Sequence, residues 1–289
     1  MQPIPRSRLR RRGFSGRGLP QRGRPLVDVP RSSLAVLGTP ARSGHPCRLT
    51  PLPSAGPFCT TRDIMTVSLK GQAVVVLVSG GVESAALLAE ALRTHDRVYP
   101  LYVRKGFLWE AVELVYLKRL LRSFRSGALV KLTILHAPVG PIYRPHWSLG
   151  KERVPGSRAP DTEVYLPGRN LLFFSGAGLF CSLRKIPALW IGILKGNPFQ
   201  DARPGFLRRM ERVLAAGLGR PVRIVAPFRK WTKGQVIRRW AGAVAWEKTF
   251  SCLNPLHRRH CGRCQKCAER RAGFRAAGVA DPTRYLYER

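Results

Sequence analysis

AVVVLVSGGVESAALLAEALRTH, residues 73–95, decides the fold. Residues 73–78 form a short β-branched apolar run, the pattern of a strand buried on both faces of a parallel sheet. SGGVES follows without a spacer, and residues 85–95 then read as a helix. The paired glycines let the backbone curl, so that several N–H groups point inward as an anion nest. The helix start behind them adds about half a positive charge. Ser79 and Ser84 offer hydroxyl donors to phosphate oxygens. No lysine follows the glycines, so this is not a Walker P-loop. Taken alone, SGG between a strand and a helix is also a common turn.

Outward from this stretch, strands and helices alternate. Strands are expected over 98–103, 131–136, 188–194 and 222–225. Helices are expected over 109–124, 170–183, 204–216 and 232–241. Such spacing implies right-handed crossovers and an α/β fold: an open, doubly wound parallel sheet covered on both faces. Ligands in these sheets bind beyond the carboxyl ends of the strands. No apolar run reaches the roughly eighteen residues needed to span a bilayer, which excludes a membrane-spanning helix.

Four of the seven cysteines crowd the run SCLNPLHRRHCGRCQKC. Cys252, Cys261, Cys264 and Cys267 can present four thiolates to one tetrahedral ion, and zinc prefers that geometry and those soft ligands. Gly262 eases the turn between Cys261 and Cys264, and Arg258, Arg259, Arg263 and Lys266 favour thiolate over thiol. Four thiolates complete the site without His257 or His260, so the metal is structural. A cubane iron–sulfur cluster shares this kind of spacing, and unligated thiols or disulfides are the plainer alternatives. Clustered rather than scattered cysteines point to a reducing compartment, the cytoplasm.

The chain carries 51 Lys and Arg against 16 Asp and Glu, a formal charge of +35. Such a field attracts polyanions weakly at least; an arginine-rich but otherwise ordinary surface is the competing reading. Residues 1–64 hold twelve arginines, no lysine and two acids, which accounts for +10 and leaves +25 on residues 65–289. This Arg-, Pro- and Gly-rich arm has no apolar face with which to offset its ordering entropy. It reads as a disordered basic tail, a transit peptide, or untranslated sequence ahead of a start at Met65, the last being preferred. The expected organisation is therefore an arm at 1–64, a nucleotide-binding domain at 65–245 and a zinc-binding helical segment at 246–289.

SGGVES resembles the PP-loop, S-G-G-x-D-S, of the N-type ATP pyrophosphatases, whose fold is of the adenine nucleotide alpha hydrolase type. Within them the tail is similar to the 7-cyano-7-deazaguanine synthase family of queuosine biosynthesis. The residues that carry the likeness are SC at 251–252, CGRCQKC at 261–267, AERRAGF at 268–274, AAGV at 276–279 and DPTRY at 281–285. YLPGRN at 165–170 resembles the family's substrate-side loop, and DARPGF at 201–206 its D-C-R-P-E-F segment. The likeness spans roughly residues 72–285. Glu83 stands where the loop has Asp, one methylene longer, and Ala202 and Gly205 stand where the family has Cys and Glu.

The resemblance implies an ATP-dependent ligase. A 7-carboxy-7-deazaguanine carboxylate attacks the α-phosphorus of ATP, ammonia displaces AMP to give an amide, and a second ATP activates that amide on the way to the nitrile. Val78, Ser79, Gly80, Gly81, Val82, Glu83 and Ser84 are expected to hold the nucleotide, with Glu83 also on Mg²⁺. Arg169 and Asn170 are expected at the nucleotide or the carboxylate. Asp201 and Arg203 are assigned base recognition and acid neutralisation. A homodimer is left open. Three other readings compete: a PP-loop enzyme with a different carboxylate acceptor, a tRNA thiolase using Cys181, and a non-catalytic, basic, zinc-stabilised nucleic-acid binder. Cys181 lies in an apolar helical run and reads as core.

Overall fold

The computed structural model describes residues 71–150 and 154–288, and the expectations for residues 1–64 lie outside them. Strand β1 (Ala73–Leu77) leads through the SGGVES turn into α1 (Val82–Thr94). There follow β2 (Arg97–Arg104), α2 (Glu110–Ser123), β3 (Thr133–His136) and the single-turn α3 (Gly140–Tyr143). After a loop come α4 (Arg169–Leu183), β4 (Ala188–Trp190), α5 (Pro204–Leu218) and β5 (Arg223–Val225). Two helices finish the chain, α6 (Lys233–Arg239) and α7 (Gln265–Ala277).

The five strands are all parallel, in the order β3-β2-β1-β4-β5. The chain runs outward from β1 through β2 to β3, then returns to the other side of β1 with β4. The direction of winding therefore reverses between β1 and β4, and the crevice beyond their carboxyl ends is where such a sheet binds ligands.

Both faces of β1 are covered, which is why its sequence is a continuous apolar run rather than an alternating one. Val74 and Val76 face one way, into a core with α1, Leu117 and Leu120 of α2, Val236 and Ile237 of α6, and Phe274 of α7. Val75 and Leu77 face the other way, against Phe174, Ala177 and Cys181 of α4 and Leu207, Met210 and Leu214 of α5. Each fully buried valine or leucine contributes roughly 1.5–3 kcal/mol, an upper estimate because unfolded chains already bury some surface. Cys181 is wholly buried in this second core, and burial pushes its thiol up to about 12. It is a packing residue, as its apolar surroundings in the sequence suggest.

The expected fourth strand is longer than the one observed. Pairing in β4 stops at Trp190; the Ile191 amide still donates to Val225 O at 3.0 Å, and the chain then leaves the sheet. Gly192 then passes close to Glu83: a Cβ there would lie 3.1 Å from Glu83 Cβ. α6 begins at a capping box, in which Thr232 Oγ1 accepts from the Gln235 amide and Gln235 Oε1 accepts from the Thr232 amide. Such a cap is worth about 1 kcal/mol.

The tail closes the structure. Arg270 of α7 is fully buried, donating to Thr249 Oγ1 at 2.8 Å, Trp246 O at 3.0 Å and Thr283 Oγ1 at 2.5 Å, with Asp281 3.6 Å away. That guanidinium explains DPTRY: its Asp and Thr neutralise and saturate a buried charge that would be costly unpaired. Among the described residues no helix is long and apolar enough to cross a membrane.

Candidate active site

The turn after β1 is shaped by Gly80, whose φ of +79° suits glycine, and by Leu117 behind it, 3.3 Å from where a Cβ would be. Ser84 is the hub of the loop. Its Oγ accepts from the amides of Gly80 at 3.0 Å and Ser79 at 3.2 Å, and donates to Gly81 O at 3.1 Å. Ser79 Oγ accepts from the Gly81 amide at 3.2 Å. The hydroxyls expected to reach outward thus gather the loop's own N–H groups, preorganising the donors that an anion would take over. α1 starts here, so its first-turn amides add to the same positive end. Val82 turns its side chain wholly into the core, leaving only its backbone to the site. The tail grips the loop directly, the Phe250 amide donating to Gly80 O at 2.8 Å.

A cavity of about 400 Å³ opens beside this loop. Its walls include Val78, Ser79, Gly81, Glu83 and Ser84 from the loop, and Arg169 and Asn170 at the start of α4. One end is aromatic: Phe107, Trp109, Trp147, Phe173 and Phe199 line it, with the Trp109 and Trp147 rings stacked at 5.8 Å. Such a slot suits a planar heterocycle.

Glu83 is 2.7 Å from Lys233 Nζ, Lys233 is 2.7 Å from Glu269, and Glu269 is 2.6 Å from Lys266. All four line the cavity, in a row of alternating charge that links the loop to α6 and α7. Burial opposes the charge on Lys233, but Glu83 and Glu269 more than offset it and hold the ammonium above the ordinary lysine range. Burial likewise works against the Glu269 carboxylate, yet Lys233 and Lys266 pull it down to about 2. Glu83 meets Lys233 through Oε1, while Oε2 points toward Gly81. One carboxylate oxygen beside an anion nest fits Mg²⁺, which takes one or two carboxylates together with substrate phosphates.

The YLPGRN and DARPGF segments meet at Asn170. Its amide donates to Asp201 Oδ2 at 3.0 Å, and its Nδ2 donates to Asp201 O at 3.1 Å. Asp201 therefore sits behind Asn170 as its support and does not line the cavity, and neither does Arg203, the exposed residue that precedes α5. The reason is packing: residues 200–202 form a 3-10 turn laid under the start of α4. Ala202 is buried in the second core and Gly205 lies outside the cavity walls, so both departures from the family's segment fall away from the site. Asn170 Oδ1 is buried without a hydrogen bond. Burial lowers the Arg169 pKa, opposed by Asp201, Tyr143, Glu113 and Glu83.

The residues that sequence reasoning missed are Tyr102, Lys105, Glu113, Lys233, Lys266 and Glu269, all on the cavity walls. Lys105 and Lys233 carried a usable signal, since each follows closely on the carboxyl end of a strand. Glu113 carried none, being one of two acids in the first turn of an amphipathic helix.

The four cysteine Sγ atoms lie within 4.8 Å of one another, all buried. Cys261 and Cys267 are 4.0 Å apart, and Cys252 and Cys264 3.9 Å. A tetrahedron with Zn–S bonds of 2.3 Å has edges of roughly 3.8 Å, so the donor set fits zinc. Backbone amides of Leu253, Cys261, Arg263 and Cys264 donate to these sulfurs at 3.2–3.4 Å, which favours the thiolate form. His260 is not a ligand: its Nε2 accepts from the Ser251 amide at 3.1 Å. Gly262 has φ +82°, and Tyr287 O occupies the space a Cβ would need.

A five-stranded parallel sheet with an SGG turn at its switch point and a four-cysteine cluster in the tail defines an open, doubly wound α/β protein. Residues 73–278 match the family described as Queuosine biosynthesis protein QueC, and the chain belongs to that family. It is 32% identical to a 7-cyano-7-deazaguanine synthase of Anaeromyxobacter sp. (strain Fw109-5), covering 73% of this chain and 95% of that one. It is 30% identical to the synthase so named from Thiobacillus denitrificans, with 73% and 97% covered. A 4-thiouridine synthetase–RNA complex with bound ATP aligns at a TM-score of 0.41 and 16% identity, over 72% of this chain and 50% of that one, too slight a likeness to bear on function.

Proposed function

We propose that the chain is an ATP-dependent carbon–nitrogen ligase that converts 7-carboxy-7-deazaguanine, ammonia and ATP to 7-cyano-7-deazaguanine. The observation that carries this reading is that the family's nucleotide loop, its substrate-side loop and its metal-bearing tail all border one cavity. The loop amides and the start of α1 take the phosphates, and Ser79 and Ser84 keep those amides aligned. Lys233 and Lys266 face the same space and offset the charge of the leaving pyrophosphate. Glu83 would hold Mg²⁺, which would supply charge neutralisation at the transferring phosphate. The aromatic end stacks the deazaguanine ring, Asn170 Oδ1 accepts a ring N–H, and Arg169 faces the reacting carboxylate. Asp201 acts through Asn170 as its positioning residue. Cys252, Cys261, Cys264 and Cys267 would hold zinc, which would tie the tail together beside the loop. Cysteines kept as thiolate ligands rather than disulfides suit a reducing compartment such as the cytoplasm.

The test is to incubate the purified protein with 7-carboxy-7-deazaguanine, ammonium and Mg-ATP and to weigh the products. The expected product is the nitrile with AMP and pyrophosphate. Consumption of ATP to give the amide alone, or no turnover of this acid, would overturn the reading.

A further inference from the structure

Four carboxyl groups line the cavity: Glu83, Glu113, Asp161 and Glu269. Glu83 and Glu269 are engaged by lysines at 2.6–2.7 Å. Asp161 is exposed and accepts from Gln265 Nε2 at 2.5 Å. Glu113 differs from all three. Among the described residues it has no ion pair within 4 Å; Tyr102 Oη donates to its Oε2 at 2.6 Å, and no hydrogen bond of the protein engages its Oε1. It stands one helical turn before Leu117, the residue that backs onto Gly80, and it lines the cavity.

We infer that Glu113 is the general base of the amidation step, taking a proton through Oε1 from the ammonia nitrogen that attacks the acyl adenylate. The inference rests on the function proposed above. In this step the nitrogen lone pair forms the C–N bond at the acyl carbon. The bond from that carbon to the AMP oxygen breaks, and AMP leaves with the electron pair. One N–H proton passes to Glu113, leaving a neutral amide, and water later removes that proton. Glu83 also has an oxygen free of lysine, Oε2, but that oxygen lies toward Gly81 in the nucleotide loop.

The groups facing Glu113 suit a base working near neutrality. Burial raises its pKa most. The Tyr102 hydrogen bond from β2 and Lys105 just beyond β2 lower it, Glu110 on α2 raises it, Arg169 on α4 lowers it, and it stands at about 7. Glu110 is committed to the backbone, accepting from the amides of Lys105 at 2.7 Å and Gly106 at 2.8 Å. A base with pKa close to the working pH gives the best compromise of availability and driving force.

The experiment separates the two halves of the reaction. ATP–pyrophosphate exchange with 7-carboxy-7-deazaguanine, without ammonia, reports adenylation. Amide plus nitrile formed with ammonium chloride reports the second half, and hydroxamate formed with hydroxylamine reports interception by a nucleophile that depends less on a base. Glu113→Gln keeps an oxygen for Tyr102. It is expected to lower the ammonia-dependent product about 10²-fold while exchange and hydroxamate stay within about threefold. Tyr102→Phe removes a donor that holds the carboxyl down, so the acid limb of the ammonia-dependent rate moves to higher pH. Equal losses in exchange and amidation by Glu113→Gln, or undiminished amidation, would overturn the inference alone. Should Glu113→Gln fail to fold, an unshifted limb in Tyr102→Phe would overturn it. Absence of exchange in the parent protein would instead overturn the proposed function, and the inference with it.

Discussion

The loop after β1 and the cysteine turn of the tail solve one problem with different acceptors. Each bends at a glycine with positive φ, Gly80 at +79° and Gly262 at +82°, and each turns several backbone N–H groups inward. In the tail those amides donate to cysteine sulfurs, whose charge stays in place and suits one cation. In the loop they donate to the neutral hydroxyls of Ser79 and Ser84, which an incoming phosphate can displace. A resident charged acceptor makes a closed structural site, and an exchangeable neutral one makes a site that turns over. The Phe250–Gly80 hydrogen bond and the Glu83–Lys233–Glu269 row join the two, so that the permanent site braces the transient one.

That contrast breaks most severely at the metal. Cys261→Ser leaves three thiolates with no fourth partner and detaches the tail, so zinc content falls and the thermal midpoint drops by about 10 °C or more. Metal analysis with calorimetry checks both. A parent protein purified with iron and sulfide in place of zinc would remove the structural half of the comparison.

Gly80→Val is the largest effect expected in the loop. A β-branched residue is strained at φ +79°, and its Cβ would press on Leu117. Pyrophosphate release should fall about 10³-fold, with loss of stability of about 1–3 kcal/mol.

Glu83→Gln keeps the shape of the loop but removes the charge that meets Lys233, and is expected to lower pyrophosphate release about 10²-fold. Glu83→Asp sharpens the point. It restores the family's residue but shortens the reach to Lys233, so retained activity shows that the metal, rather than the lysine, needs the carboxylate. Undiminished turnover in Glu83→Gln would leave that carboxylate as a mere helix-start acid.

Ser84→Ala releases the Ser79 and Gly80 amides from their shared acceptor. The rate should fall roughly 10-fold to 10²-fold through poorer alignment, while the thermal midpoint moves by only a few degrees. A larger loss of stability than of rate would place Ser84 with the structural half of the comparison.

The smallest effect is electrostatic. The folded pKa of Glu113 lies above its unfolded value, so its protonated form is favoured by folding. Its contribution to stability is fully present below about pH 4.5 and is lost as pH rises through about 7. Glu113→Gln should flatten that part of the stability–pH curve in denaturant titrations; an unchanged slope would show that the carboxyl is not desolvated.

Much of this was legible in the residues. The apolar run at 73–78 announced a strand buried on both faces, and the strand and helix spacing announced the parallel sheet, because periodicity and burial are local consequences of sequence. The cysteine spacing announced four converging sulfurs. Arg169 and Asn170 were read as site residues from a motif and do line the cavity. Asp201 and Arg203 were read from the neighbouring motif and stand outside its walls, since a motif reports that residues belong together without saying which of them lines a cavity.

By itself, then, the sequence determined the elements, the glycine and serine make-up of the loop and the four converging sulfurs, all of which depend on residues within one turn, strand or short run. Only the tertiary structure decided that Lys233, Glu269 and Lys266 form a charged row with Glu83, that Asp201 stands behind Asn170, and that Glu113 faces the cavity with a free oxygen. Asp201 and Asn170 are 31 positions apart, and Glu83 and Glu269 are 186 apart. Their placement depends on how helices pack over a twisted sheet, and packing sums many weak contacts that no single stretch of chain contains.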